Sequence, residues 1–359
     1  MLTLGIETSC DETSAALLDG EGRVLSNVIA SQAGAHALYG GVVPEVAARA
    51  HLENLPGVFE EGLRIAGACF GDVTLVAATA GPGLIGALLV GLSAAKALAF
   101  ARGLPLAAVN HLEGHLFSPF LRSDGAPAAA IEYPFHGLVV SGGHAELVRV
   151  EADRIVPIAR TRDDAPGEAF DKVARRAGLG YPGGPLVDRI AARGNGARFP
   201  LPIGRAGDGS DDFSFSGLKT AMLRELEKRG VTGTPVEADD VTGELADLFA
   251  SFQRAIVTAL LDRVETVHRR ERIRRLALAG GVAANSELRA SASRWCRDNG
   301  VTLFLPDRSL TTDNAAMIAW AGLLQFRREG PAAYRDANAR SRWPLGIERL
   351  SGRTDGPGR

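Results

Sequence analysis

The chain has 359 residues, 46% of them hydrophobic and 23% charged, with a formal net charge of −2. That length predicts two domains or lobes rather than one simple core, and the balanced charge excludes a global positive field for holding nucleic acid. Three cysteines, Cys10, Cys69 and Cys296, form no CxxC pair, which excludes a disulfide scaffold and a cysteine-rich zinc module and suits a reducing, cytoplasmic setting.

The N-terminus MLTLGIETSCDET lacks a basic region and reaches acids by Asp11, so it does not read as a signal peptide. Leu2 to Glu7 and Ser14 to Leu18 read as strands around a polar turn that carries Asp11 and Glu12. Leu75 to Thr79 reads as a buried strand, followed by a glycine loop and an apolar helix near Leu84 to Ala101. Lys96 and the many Gly and Ala residues make that helix a buried element and not a membrane span. Leu106 to Val109 is the next strand, and Pro119 to Pro134 reads as the crossing between halves. Leu138 to Val140 and Glu146 to Val150 repeat the opening hairpin around Ser141-Gly142-Gly143-His144, which predicts an internally duplicated architecture. A Gly- and Asp-rich segment spans Gly194 to Asp212, with helices near Ser216 to Arg229 and Gly243 to Arg269. Leu276 to Ala279 reads as a strand leading through Gly280-Gly281 to a helix from Asn285. Strands alternating with helices predict a mainly parallel α/β sheet. The expected division is an N-terminal lobe over 1–133, a C-terminal lobe over 134–330 with a helical insertion near 195–245, and a polar tail over 331–359.

Chemistry-bearing residues fall into four groups. His111 and His115 lie four apart on a helix that Asn110 can cap, so both imidazoles share one face and can grip one metal ion. The pair is not HExxH, because Glu113 stands two residues after the first histidine. Asp313 opens a helix after a polar turn and is either a third ligand or only a helix cap. The loops Val139 to Gly143 and Gly280 to Asn285 offer backbone amides and a helix N-terminus to an anion, although neither is a P-loop or a GxGxxG turn. Asp11, Glu12, Asp163, Asp164, Glu168 and Asp171 are turn acids or site acids, and Asp188 can accept ribose hydroxyls. The basic run His268 to Arg275 and the set Lys172, Arg175 and Arg176 are solvated faces or a nucleic-acid surface.

Read together, the motifs have a family resemblance. Gly5 to Thr13, Asn110 to His115, Val140 to His144, Gly167 to Lys172, Tyr181 to Pro185, Phe213 to Lys219, Gly280 to Asn285 and Thr312 to Asn314 closely resemble the bacterial tRNA N6-adenosine threonylcarbamoyltransferase family, related to the archaeal and eukaryotic Kae proteins. They occur in order from residue 1 to about 325, with no motif position departing from the pattern. The resemblance implies an α/β actin-like, sugar-kinase-like, Hsp70-like ATPase fold with two duplicated lobes and a central cleft. It implies one divalent metal ion, Fe2+, on His111, His115 and Asp313, and threonylcarbamoyl-AMP as substrate. Val139, Val140, Ser141, Gly142, Gly143, Asp171, Gly184, Asp188 and Asn285 would hold that adenylate, and direct binding of ATP or ADP stays open. The implied reaction moves the threonylcarbamoyl group to the exocyclic amine of the adenosine beside the anticodon, in tRNAs reading codons that begin with A. Glu12 is the candidate for orienting or deprotonating that amine. Implied partners are tRNA, a paralogous lobe-pairing subunit and a small P-loop ATPase, with no membrane. The alternative is an ATP-dependent phosphotransferase or chaperone of the same fold; a metalloprotease, an older description of the family, lacks its glutamate beside the first histidine.

Overall fold

A computed structural model of the chain describes residues 1–37, 39–204, 210–330 and 337–346. It divides into two compact units: one of Met1–Pro134, Val150–Val156 and the described residues from Pro306 on, the other of Phe135–Arg149 and Pro157–Leu305.

The first unit opens with β1 (Thr3–Glu7), β2 (Glu12–Leu18) and β3 (Val24–Ser31), followed by α1 (Ala33–Ala37) and α2 (Pro44–Ala66). Then come β4 (Leu75–Gly81), α3 (Ile85–Arg102), β5 (Leu106–Asn110) and α4 (His111–Phe117). Sheet order is β3-β2-β1-β4-β5. β1 and β4 are buried along their whole length, as central strands covered on both faces must be. Leu4, Ile6, Leu17, Val76, Ala78, Leu92 and Leu106 share its core.

The second unit contains β6 (Phe135–Val140), β7 (Ala145–Val150), β8 (Ile155–Arg160), α5 (Pro166–Arg176), α6 (Gly183–Ala191), α7 (Ser216–Lys228), α8 (Gly243–Glu271), β9 (Arg275–Ala279), α9 (Ser286–Asp298) and β10 (Thr302–Phe304). Its sheet order is β10-β9-β6-β7-β8. Adding five to each strand number of the first sheet gives β8-β7-β6-β9-β10, this order read from its other edge, so the duplication expected from the paired hairpins is present at the level of topology. Its core gathers Leu138, Phe170, Phe213, Phe249, Phe252 and Leu278.

Two expectations change. The first sheet is mixed and not mainly parallel: β1 runs antiparallel to β2, and β2 to β3, while β1/β4 and β4/β5 are parallel. Short turns can only return a strand antiparallel. The helix α3 is apolar and long enough to cross a membrane by composition, yet it packs on β4 and α2 through Ala87, Leu88, Gly91, Leu92, Ala95 and Ala99. Its other face, with Leu89 and Phe100, is exposed, so it is half-buried rather than buried. β3 and α2 were absent from the sequence reading. The α2 stripe Ala47, His51, Leu55, Val58 and Gly62 includes a histidine and is interrupted by Pro56, which disguises the helical period.

The last helix, α10 (Ala315–Glu329), packs against β1, β4 and α4 of the first unit. The approach is very close. A Cβ at Gly5 would lie 2.2 Å from the Ala315 carbonyl oxygen, and one at Gly114 would lie 2.8 Å from Ile318 Cδ1. Beyond it, Arg340 N donates to Ala80 O at 2.7 Å and Asn110 Nδ2 to Trp343 O at 2.9 Å. The rest of the expected 331–359 tail lies outside the described residues, as do residues 205–209 of the Gly- and Asp-rich segment.

Because the Gly5 contact is with backbone, which cannot rotate away, Gly5→Ala is expected to cost about 1–3 kcal/mol through overpacking. Equilibrium urea denaturation measures it, and an unchanged midpoint would show that α10 adjusts freely.

Candidate metal centre

The helix α4 begins where β5 ends, because Asn110 turns the chain and its Oδ1 accepts from Leu112 N at 2.9 Å. His111 and His115 then stand one turn apart on the same face, their ring centroids 4.7 Å apart. Both are buried. Their Nε2 atoms point at one oxygen: Asp313 Oδ1 lies 3.5 Å from His111 Nε2 and 3.0 Å from His115 Nε2. One ligand atom from each residue lies within 4.8 Å of the others.

Asp313 reaches this position because it is not the helix cap. Asn314 takes that role, its Oδ1 accepting from Met317 N at 3.1 Å, while Ser14 Oγ accepts from Ala315 N at 2.9 Å. The cap-only reading of Asp313 is thereby overturned, since its carboxylate is spent on imidazoles and not on backbone amides.

Glu7 is the residue that the sequence reading missed. Its side chain is fully buried, with Oε2 3.0 Å from His111 Nδ1 and accepting from Thr79 Oγ1 at 2.6 Å, while Oε1 accepts from Ser9 N. A signal existed in the sequence: an acid closing an apolar strand must be paired, because an isolated buried carboxylate is too costly. His111 therefore has a carboxylate at each ring nitrogen. Burial alone would push its basicity down, but Asp313 and Glu7 more than offset this and hold it well above the ordinary range. Burial likewise opposes ionisation of Asp313 and Glu7, and the His111 charge overcomes it, leaving both below the usual carboxylate range. Such a site is built around a positive charge. Two imidazoles and one carboxylate with converging donors fit a divalent cation, which would sit where the shared protons otherwise do.

Glu12 lies on β2 of the same unit. Its Oε1 accepts from Ser31 Oγ at 2.9 Å, and Oε2 is buried with no hydrogen-bond partner among the described residues. Burial pushes its carboxyl up to about 7; the Ser31 hydrogen bond opposes this, and the charges of Asp11 and Asp313 add to it. The turn before it is pinned by Gln32 N on Asp11 O at 3.0 Å and by His51 Nε2 on Cys10 O at 3.0 Å.

The residues expected to hold an adenylate are gathered in the second unit. Val139 and Val140 end β6 as buried residues, and Gly142 and Gly143 are exposed in the turn that follows. The Ser141 amide is already used, donating to His144 O at 2.8 Å. That withdraws one amide of the Val139 to Gly143 loop from an anion. Glu168 N donates to Gly142 O at 3.0 Å, tying the turn to the start of α5. Asp171 on α5 accepts from Gly183 N at 2.8 Å, at the N-terminus of α6 beside Gly184. Asp188 on α6 accepts from Ser286 Oγ at 2.7 Å and from Ser286 N, and Asn285 caps α9 through Leu288 N at 3.0 Å. The turn is thus linked to α5 through backbone, and α5, α6 and α9 to one another through the Asp171 and Asp188 carboxylates.

The remaining candidates are structural ties. Asp163 accepts from Ser214 Oγ and from Phe215 N, ahead of α7, and Asp164 pairs with Lys172 and Lys219. Glu168 pairs with Lys172. Within the basic run, Arg269 pairs with Glu265 and Arg270 with Asp211, so part of its charge is already compensated.

Comparison with known proteins gives these features a family. Residues 23–320 match the family model described as tRNA N6-adenosine threonylcarbamoyltransferase. The Pelobacter propionicus protein of that name is 48% identical over 346 residues, covering 96% of this chain and 98% of its own. The Rhizobium meliloti protein of the same name is 48% identical over 360 residues, covering 97% and 96%. Among solved structures, the HypF protein of T. kodakarensis superposes with a TM-score of 0.57 at 16% identity, over 94% of this chain and 49% of that one. The fold is the α/β actin-like, sugar-kinase-like ATPase fold.

Adjacent residues separate ligand from cap. Asn314→Ala should lose about 1 kcal/mol of stability and keep stoichiometric metal, whereas Asp313→Ala should lose the metal. Thermal melts and elemental analysis of the two variants decide it; equal metal content in both would refute the ligand role.

Proposed function

The chain belongs to the tRNA N6-adenosine threonylcarbamoyltransferase family, and from that premise we propose that His111, His115 and Asp313 hold one divalent cation beside which the acyl group is transferred. The convergence of these three donors on one point is the observation that carries the reading. The reaction moves a threonylcarbamoyl group from threonylcarbamoyl-AMP to the exocyclic amine of the adenosine next to the anticodon, in tRNAs reading codons that begin with A. An aromatic amine is a weak nucleophile, so the acceptor must lose a proton as it attacks and the adenylate must be held as a leaving group. A cation on two neutral imidazoles and one carboxylate would supply a Lewis acid, and this donor set is compatible with Fe2+, the ion that the family resemblance implies.

Glu12 is the proton acceptor in this proposal. Its unpartnered Oε2 and its elevated basicity, close to the operating pH, are what a general base needs. The exposed amides of Gly142 and Gly143 would meet the departing phosphate, with Val139, Val140 and Ser141 shaping the turn. Asp171, Gly184, Asp188 and Asn285 hold the linked helix N-termini against which the adenosine would rest. ATP or ADP could enter the same loops, and nucleotide titration of the purified chain distinguishes them from the adenylate.

tRNA is the macromolecular substrate, which is compatible with a cytoplasmic setting. With a net charge of −2 and no global basic field, the chain would draw tRNA affinity from partners, namely a paralogous subunit that pairs lobe to lobe and a small P-loop ATPase. The phosphotransferase alternative is not favoured, because kinases hold magnesium with carboxylates and two histidines suit that hard ion poorly.

Nucleoside mass spectrometry of tRNA after reaction with threonylcarbamoyl-AMP and the partner proteins should show threonylcarbamoyladenosine with the wild type and none with His111→Ala. Product from both would retain the chemistry and dismiss the metal; product from neither would point to the kinase-like reading. Below pH 7 the Glu12 carboxyl is protonated and cannot accept the amine proton, so kcat/KM should fall as pH drops through about 7. Glu12→Gln should lower turnover by roughly 10²–10⁴-fold and abolish that limb; wild-type turnover in this variant would remove Glu12 from the chemistry.

A further inference from the structure

We infer that Glu7 is a positioning residue for the metal centre: held by Thr79 and the Ser9 amide, it accepts a hydrogen bond from His111 Nδ1–H and so presents the His111 Nε2 lone pair to the point shared with His115 and Asp313. This rests on the reading of those three residues as metal ligands.

The sheet delivers all the parts. β1, β4 and β5 are parallel neighbours in which Ile6 pairs with Ala78 and Thr79 with Val109. Their carboxyl ends therefore place Glu7, Thr79 and His111 side by side. A neutral imidazole carries its proton on one nitrogen only, and the partner of the other nitrogen decides which. Two groups lie at Nδ1: Glu7 Oε2 at 3.0 Å and Ser9 Oγ at 3.1 Å. The serine hydroxyl can donate or accept, so it selects neither form. The carboxylate only accepts when ionised, and an Nδ1 lone pair facing it would be repelled. Glu7 thus forces Nδ1–H.

The carboxylate is itself locked. Thr79 Oγ1 donates to Oε2 at 2.6 Å and Ser9 N donates to Oε1, so both oxygens are committed and the side chain cannot swing away. Metal-ligating histidines are commonly oriented by such a carboxylate.

Glutamine in this position has the same shape but one donor end. With its oxygen on Ser9 N, its amide nitrogen faces Thr79, which can accept, and His111 Nδ1, which must then accept as well. The variant satisfies every group only by moving the His111 proton to Nε2, where a cation would bind.

The test uses the full chain stripped of metal and titrated with Co2+ by visible absorption, alongside Glu7→Gln, Thr79→Val and His111→Ala. Glu7→Gln should keep one site and weaken it by roughly 10–100-fold, and Thr79→Val should weaken it by a smaller factor. Long-range proton–nitrogen spectra of metal-free 15N-histidine protein, recorded at a pH high enough to leave the His111 ring neutral, should show Nδ1 protonated in the wild type and unprotonated in Glu7→Gln. A merely structural glutamate would move stability and leave that nitrogen unchanged. Wild-type Co2+ affinity in Glu7→Gln, with His111→Ala unable to bind, overturns the role of Glu7 alone. Wild-type affinity in His111→Ala overturns the metal reading beneath it. Should Glu7→Gln lack a cooperative melt, Thr79→Val decides, and an unchanged affinity there overturns the proposal.

Discussion

The seating of α10 on the first sheet is the constraint on which the rest depends. The helix backbone comes so near to β1 that no side chain fits at Gly5, and the Ile318 and Met317 side chains fill the space over Gly114 of α4. Ser14, from the middle of β2, receives the first amide of the helix. A helix fixed at this distance has its N-terminus fixed too, and Asp313 stands just before that terminus. Two histidines near residue 113 and a carboxylate some two hundred positions later therefore share one point because backbone meets backbone, not because of any attraction among the three.

Electrostatics then explains why that point is built as it is. Two carboxylates and two imidazoles are packed together, Glu7, His111 and His115 buried and Asp313 partly so, and such a group is tolerable only when its charges compensate. In His111 the compensation is arranged in line, with Glu7 on one ring nitrogen and Asp313 facing the other. His115 faces Asp313 through Nε2 and packs edge-on against the His111 ring. The asymmetry leaves one histidine oriented from behind by the sheet and the other by its place one turn along α4. Close by, Glu12 keeps an unpartnered oxygen under burial, so one region holds a strongly ionised acid, Asp313, and one whose carboxyl sits near 7. Opposed environments of this kind divide roles among like side chains.

Much of this was legible in the chain. Buried strands such as Leu75 to Thr79 are continuous apolar runs that read the same in any context, and glycine turns punctuate them. Periodicity fails where buried faces carry polar groups. The α2 face includes His51, which is wholly buried because Thr13 and the Cys10 carbonyl occupy its two nitrogens. Asp188 shows the same effect at the site, where an acid open to a ribose in the sequence reading is engaged by Ser286 and Asn285.

What the sequence determined by itself was local: strand and helix types, the Asn110 cap, the i,i+4 histidine pair and the repeated hairpin. These depend on the steric and hydrogen-bonding preferences of neighbouring residues, which a linear pattern carries. The tertiary structure alone decided which side chains far apart in the chain would meet. Asp313 could have been a cap until Asn314 was seen to take that bond, and Glu7 could have been any strand terminus until three parallel strands brought it beside Thr79 and His111. Both outcomes follow from how closely elements pack, and packing distance is set by the residues on two surfaces together, which no single stretch of sequence contains.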